Sequence, residues 1–176
     1  MQKNWYAVYT RPNCETKVAH FFFRKKIEHF CPMNSIKIQS FRKVKILHEP
    51  LFKSHVFVNI AEEEICWLKR VDGVISLLHW KSKPLIIREN EITAIKEFTI
   101  RHQSIELQKT QIITSDMAGI EEIPNYSIDG KIFDLINEKL KVNLPSIGYV
   151  MIARMEEKGN FTKDATILQH NPISYF

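Results

Sequence analysis

The sequence is poor in several features that would assign a chain to a common class. Among 176 residues there are only five glycines, so a glycine-rich phosphate-binding loop has few places to form. No apolar run approaches the roughly 20 residues that a membrane-spanning helix needs. The start lacks the apolar stretch and the small-residue cleavage site of a signal peptide. We therefore expect a cytoplasmic protein that does not act at a membrane.

Cysteine is also scarce, with Cys14, Cys31 and Cys66 widely separated and no CxxC pair. An odd number of scattered cysteines argues against a disulfide framework, and no four-ligand set with zinc spacing is present. The sequence contains neither GxSxG nor HExxH, and its histidines and carboxylates show no pairing. We predict no catalytic residues, no metal site, no cofactor and no enzymatic activity.

Positive charge is concentrated in the first third of the chain. Residues 1–60 contain eleven lysines and arginines against three glutamates, a net charge of +8; because the whole chain carries +5, the rest sums to −3. This asymmetry indicates that one face of the N-terminal region meets a polyanion. A solvated surface is the alternative.

Hydrophobic periodicity predicts alternating strands and helices up to residue 98. A first strand, Trp5–Thr10, precedes a helix capped by Asn13, with Ala19, Phe23, Ile27 and Phe30 as its apolar stripe, that ends before Pro32. A charged hairpin follows at 36–48, and then the strand Leu51–Ile60. Further elements are predicted as a short helix after Glu62, strands at 74–78 and 84–88, and a helix with Ile92, Ile95 and Phe98 inward.

This order predicts an α+β fold with a mixed, mainly antiparallel sheet flanked by helices over residues 1–98. The polar segment 99–110 is predicted to be a linker. Short strands separated by turn residues predict a small β-barrel over 111–155, and residues 156–176 are expected to be a tail.

The first strand is apolar on both faces, because WYAVY does not alternate. In LFKSHVFVNI, Phe52, Val56 and Val58 suit a core, while Phe57 lies on the opposite side. The second apolar face is then a binding surface or the seat of the second domain. Ordinary core on both faces is the alternative.

A second candidate surface is basic. Arg11, Lys17 and Arg24 extend from the end of the first strand along the first helix, with Phe21 nearby. Lys17 and Arg24 are seven residues apart and so share a helical face. Such cations suit phosphates and an aromatic ring suits a base, although plain solubilising charge is the alternative.

Four motifs in order resemble the N-terminal domain of the NusG family of transcription elongation factors. They are WYAVYTRPNCETKVAHFF, EPLFKSHVFVNI, VDGVISLL and PLIIRENEITAIKEF, which together extend over residues 3–98. They look closer still to the specialised RfaH and UpxY type of antiterminator. The resemblance implies a factor that suppresses pausing and termination by binding the β′ clamp helices of RNA polymerase through an apolar sheet face. It also implies contact with the non-template DNA of the transcription bubble.

The resemblance transfers roles to particular residues. Tyr9, Phe52, His55 and Phe57 take the polymerase-facing positions, and Arg11 and Lys17 the DNA-facing ones. Arg24 is added from helical geometry. The chain has Lys53-Ser54-His55 where the family usually has Pro-Gly-Tyr or a similar triplet.

Residues 107–155 are similar, more weakly, to the KOW domain of the family, a five-stranded barrel that touches Rho or a ribosomal protein. Asp116 and Glu122 stand where glycines are customary in its loop. Two other functions remain open from the sequence: a general elongation or Rho-linked termination factor, and a ribosome-associated RNA-binding module.

Overall fold

The structure, a computed structural model, describes residues 2–40, 43–112 and 139–154. Its strands are β1 Lys3–Thr10, β2 Glu28–Phe30, β3 Met33–Ser40, β4 Lys43–Pro50, β5 His55–Ala61, β6 Val74–Leu77, β7 His79–Trp80, β8 Lys83–Pro84, β9 Ile86–Ile87, β10 Glu106–Lys109, β11 Lys139–Leu144 and β12 Tyr149–Arg154. Its helices are α1 Glu15–Arg24, α2 Ile65–Leu68 after a 3₁₀ turn at Glu62–Glu64, and α3 Glu89–Arg101.

The main sheet has β1 at its centre. Its strand order is β2-β5-β1-β6, and β9 pairs with the other half of β1 on the β6 side. Every strand pairing among the described residues is antiparallel. In the register of β1 and β5, Ala7 lies opposite Phe57 and Tyr6 opposite Val58. The predicted α+β fold with a mainly antiparallel sheet is confirmed for the N-terminal part.

Helix α1 is shorter than predicted and turns a different face to the sheet. Its buried residues are Glu15, Val18, Ala19 and Phe22, at the i, i+3, i+4, i+7 spacing of one helical face, whereas Phe23 is exposed. The helix ends because Lys26 adopts a left-handed φ of 56°. The predicted stripe was wrong because Phe23 is exposed and because Ile27 and Phe30 lie beyond this end.

The N-terminus of α1 also differs from the prediction. Asn13 has a φ of 62° and the N-cap position belongs to Cys14. The side chain of Glu15, in the first turn, accepts a hydrogen bond of 2.6 Å from the backbone N of Ser54. The helix is thereby tied to the loop that leads into β5.

The predicted charged hairpin is confirmed as the β3–β4 ribbon, in which Ile36 pairs with Leu47 and Lys37 with Ile46. The predicted inward face of α3 is also confirmed, since Ile92, Ile95 and Phe98 are buried. No helix among residues 2–40, 43–112 and 139–154 is both long and apolar enough to cross a membrane.

The segment predicted as a linker, 99–110, contains the last turn of α3 and strand β10. Strand β12 pairs with both β10 and β11, giving a three-stranded sheet in the order β10-β12-β11. Strands β11 and β12 of this C-terminal sheet lie in the region predicted as a barrel, whereas β10 lies in the predicted linker. Most of the rest of that predicted barrel, as well as the predicted tail, lies outside the described residues.

Two apolar clusters form the core, one on each side of the main sheet. On the first side Tyr6, Val8 and Val56 pack against α1. On the second side Trp5, Ala7 and Phe57 pack against α3 and the C-terminal sheet. The C-terminal part contributes Val142, Leu144, Ile147, Met151 and Ala153 to this second cluster, which also contains Ile105, the residue before β10.

Candidate functional site

The predicted polymerase-facing aromatics lie on the second side of the sheet, beneath the C-terminal sheet. Phe57 is 1% exposed and Phe52 is 4% exposed. The Phe52 ring meets Phe57 edge to face at 5.3 Å between centroids, and Tyr149 of β12 at 5.7 Å. The assignment of these rings to polymerase-facing positions stays a prediction, and in this arrangement both rings are buried. The second apolar face is the seat of the C-terminal sheet, one of the alternatives that the sequence left open.

The other two predicted residues, Tyr9 and His55, lie at the margin of this covered face. They are opposite each other in the β1–β5 register, with ring centroids 5.4 Å apart. Tyr9 is 39% exposed, whereas His55 is half-buried. Burial lowers the pKa of His55, and its Nδ1 lies 2.8 Å from the carbonyl oxygen of Lys53. The four predicted residues are therefore contiguous, but only Tyr9 presents much surface.

A buried polar contact joins α3 to the turn between β11 and β12. Glu91 Oε1 accepts hydrogen bonds from the Ser146 hydroxyl at 2.6 Å and from the Ser146 backbone N at 3.2 Å. Its Oε2 is buried and has no hydrogen-bond partner within the described residues. Burial raises the pKa of Glu91, and the Ser146 hydrogen bonds oppose that rise. Closing the C-terminal sheet over the face therefore places a carboxyl group in an apolar seam.

The segment after α3 is fixed by hydrogen bonds to β3 of the ribbon. The Asn34 amide donates to the carbonyl of Ile105 at 2.9 Å and accepts from the backbone N of Ile105 at 3.0 Å. The backbone N of Ser104 donates a hydrogen bond of 2.9 Å to the carbonyl oxygen of Ser35. The chain is thus fixed to the N-terminal part up to Ile105, and β10 begins immediately beyond.

The predicted DNA-facing residues lie elsewhere, around the start of α1. Arg11 Nη1 lies 3.5 Å from Asp72 Oδ1, and Lys17 Nζ lies 2.6 Å from Asp72 Oδ2. The hydrogen bond with Asp72 raises the pKa of Lys17, and the same bond lowers the pKa of Asp72. The structure therefore brings Arg11 and Lys17 together around one carboxylate.

Arg24 is exposed at the other end of α1. It lies seven residues after Lys17, about 10 Å along the helix axis. Phe21, expected to be available for a base, is half-buried and packs near Trp67 at 6.4 Å between centroids. Phe23 is the aromatic that α1 exposes.

The sequence reading missed Asp72 and Glu91. Their partners are 55 or more residues away along the chain. No local pattern carries such a signal.

Comparison with known proteins gives one consistent result. The family model described as transcription termination factor nusG matches residues 3–96. The transcription termination/antitermination protein NusG of Streptococcus pyogenes, in serotypes M1 and M3, is 22% identical over 170 residues, covering 88% of this chain and 93% of the relative. A solved structure concerned with domain interaction in Thermotoga maritima NusG aligns with a TM-score of 0.47 at 18% identity, covering 89% of this chain and 99% of that one.

Proposed function

Because the chain belongs to the NusG family of transcription termination and antitermination factors, we propose that it is a specialised antitermination factor of the RfaH and UpxY type. It serves particular operons and binds RNA polymerase at the β′ clamp helices. It has no catalytic step. Its C-terminal part engages Rho or a ribosomal protein, or recruits the factor to its operon.

The observation that carries this proposal is the second apolar face of the main sheet. A domain of about 100 residues needs one apolar sheet face for its core, and a large second face marks an interaction surface. Here Trp5, Ala7, Phe52 and Phe57 lie on that face and are buried together with residues of α3 and of the C-terminal part. Buried aromatic side chains are the residues that dominate protein interfaces.

Binding then requires that the C-terminal sheet leave the face. Polymerase and the C-terminal sheet cannot both cover Phe52 and Phe57, so the two compete. If the open form is a small fraction of the population, the apparent affinity for polymerase falls by that fraction. Recruitment to particular operons follows when a further contact stabilises the open form.

Antitermination itself needs only differential binding. A factor that binds the active conformation of polymerase more tightly than the paused one shifts the population toward the active state. Contact of Arg11, Lys17 and Arg24 with the non-template DNA adds a salt-sensitive component, since each phosphate contact releases counterions. The polymerase clamp is held closed because the factor binds the clamp helices through the sheet face and the non-template DNA through these basic residues.

The direct test is retention of the purified chain on immobilised core RNA polymerase. Tyr9→Ala should lower retention about tenfold, because an exposed aromatic at the margin of an interface contributes on the order of 1–2 kcal/mol. Phe23→Ala removes an aromatic that is 48% exposed on α1 and is the matched control. Phe57→Ala is unsuitable, since truncating a buried phenylalanine costs about 3–5 kcal/mol of stability.

Equal retention of the wild type and Tyr9→Ala would contradict the assigned face. Retention on ribosomes instead of polymerase would favour the ribosome-associated RNA-binding module. Rho-dependent release by the bound factor would favour a general termination factor.

A further inference from the structure

Arg11 and Lys17, the two cations assigned to DNA, already contact a carboxylate of the same chain. Asp72 contacts both, at 3.5 Å from Arg11 and 2.6 Å from Lys17. The side chains of Arg11, Lys17 and Asp72 are 65%, 64% and 65% exposed. A nucleic-acid phosphate that approaches these cations therefore meets a fixed negative charge between them.

The position of this carboxylate is set by the backbone. The backbone N of Arg11 donates a 2.8 Å hydrogen bond to the carbonyl oxygen of Gly73, the residue after Asp72. Gly73 has a φ of +94°, and a Cβ there would lie 3.1 Å from Val18 and 3.2 Å from Cys14. The Asp72-Gly73 turn is thus packed against the start of α1 and aligned with the end of β1. Asp72 is not a loose surface acid that meets the cations by chance.

We propose that Asp72 is an intramolecular substitute for a nucleic-acid phosphate, which occupies Arg11 and Lys17 until single-stranded DNA displaces it. The inference rests on the proposed function, because it assumes that these cations contact DNA. The inference adds Asp72 as the residue that determines how selectively Arg11 and Lys17 bind DNA. Its effect is to weaken adventitious binding to polyanions while leaving the cations in place for DNA that other contacts hold nearby.

The exchange is feasible because the groups are exposed. An exposed ion pair contributes little free energy to the folded protein. A phosphate can therefore replace the Asp72 carboxylate at a small cost in free energy. The lowered pKa of Asp72 and the raised pKa of Lys17 mean that the pair stays ionised near neutral pH. Salt weakens the internal pair and the DNA contact together. The internal pair should therefore reduce the salt dependence of DNA binding.

The experiment measures the affinity of the full chain for a fluorescent single-stranded DNA of mixed sequence, over a series of salt concentrations. Asp72→Asn should bind about fivefold more tightly than the wild type in low salt. Its plot of log affinity against log salt should be steeper by about 0.7, the value expected for one phosphate contact on a single strand. Asp72→Glu, which keeps the charge, should restore weak binding.

The matched control is Glu106→Gln, which makes the same change of net charge at an exposed position of β10 in the C-terminal sheet. It should bind within about twofold of the wild type, since screening limits charge effects to about a Debye length. Thermal unfolding of each variant checks its fold. Asp72→Ser, another residue common in turns, provides a second charge-removing variant.

Two outcomes separate this inference from the function on which it rests. If Arg11→Gln with Lys17→Gln weakens DNA binding but Asp72→Asn and Asp72→Ser leave it unchanged, the role of Asp72 is wrong and the DNA contact stands. If the double substitution has no effect on DNA binding in either the wild type or Asp72→Asn, the DNA contact itself is wrong. An equal increase in DNA affinity for Glu106→Gln would also overturn the inference, because the change in net charge alone would then explain the result.

Discussion

Ser54 holds a backbone conformation that favours glycine, in the loop between the ribbon and β5. Its φ is 61°. The loop is held there by two hydrogen bonds, from the backbone N of Ser54 to Glu15 at 2.6 Å and from the backbone N of Thr10 to the Ser54 carbonyl at 2.8 Å. The triplet Lys53-Ser54-His55 stands where the resembled family usually has glycine at its centre. The left-handed geometry gives a physical reason for that preference.

We predict that Ser54→Gly stabilises the chain. The left-handed conformation costs an L-residue roughly 1–2 kcal/mol, and glycine avoids this cost while gaining some freedom in the unfolded state. The expected net gain is about 0.5–1 kcal/mol, measured as a shift of the urea unfolding midpoint. Ser54→Ala, which keeps a Cβ, is the control and should show no gain. A lower midpoint for Ser54→Gly would mean that the loop is not strained.

Glu91 is the residue whose charge opposes closure of the C-terminal sheet. Burial raises its pKa above the ordinary carboxyl value of 4.5. A group with a raised pKa in the closed form stabilises that form fully below its ordinary pKa, and this stabilisation is lost as pH rises through the raised value. Closure over the apolar face should therefore weaken as pH rises.

We predict that the wild type loses stability relative to Glu91→Gln as pH is raised from 5 to 8. Urea unfolding at several pH values gives the difference between the two proteins, in which other titrating groups cancel. Gln keeps an oxygen that can accept from Ser146 but carries no charge. A pH-independent difference would show that Glu91 does not change its protonation on closure.

At the scale of the element, α1 has one buried face and one exposed basic face. Val18, Ala19 and Phe22 are buried in the core. Lys17 and Arg24 lie on the exposed side. Because Arg11 comes from the end of β1, the basic surface depends on how α1 is packed against the sheet. Substitutions on the exposed side should leave that packing intact.

We predict that replacing Arg11, Lys17 and Arg24 by Gln reduces antipausing while polymerase recruitment is partly retained. The lost activity should be the salt-sensitive part, because phosphate contacts release counterions. Pause lifetimes in a purified elongation complex, measured at several salt concentrations, test this. Lys109, Lys139 and Arg154, in the C-terminal sheet, provide a charge-matched triple Gln control. Equal salt dependence in all three proteins would mean that the α1 cations are only solvated surface charge.

For the molecule as a whole, the main feature is that one apolar face is covered by a later part of the same chain. Glu91 makes a polar contact with Ser146 within the seam, and Asn34 fixes Ile105 at its border. A cut after Ile105 therefore preserves the Asn34 contacts and removes the cover. This boundary is more suitable than a cut at residue 100, which would fall within α3.

We predict that residues 1–105 form a folded fragment that binds polymerase more readily than the full chain and still suppresses pausing. The physical reason is that the closed form no longer competes with polymerase for Phe52 and Phe57. The exposed apolar face should also bind a hydrophobic dye and promote aggregation. Pause lifetimes and polymerase retention, compared with the full chain, give the measurement.

Two results would contradict this division of roles. A folded fragment that binds polymerase but leaves pausing unchanged would place the central activity in the C-terminal part. Equal polymerase retention by the fragment and the full chain would mean that the cover does not limit access to the face.

The sequence by itself determined the elements whose pattern is strong and local. The lack of alternation in WYAVY predicted a sheet with two apolar faces, and the spacing of Ile92, Ile95 and Phe98 predicted the inward side of α3. The β3–β4 ribbon followed from alternation alone. These features can be predicted from the sequence because periodicity depends only on residues that are close together in the chain.

The tertiary structure alone decided which face of α1 is buried, what covers Phe52 and Phe57, and which groups Asp72 and Glu91 meet. Phe22 and Phe23 are both aromatic, and only the packing of α1 against the sheet determines that Phe22 is buried and Phe23 exposed. Ser146 meets Glu91 across 55 residues, and Lys17 meets Asp72 across the same separation. A local pattern reports the period of one segment, whereas a contact between distant segments depends on how whole elements pack.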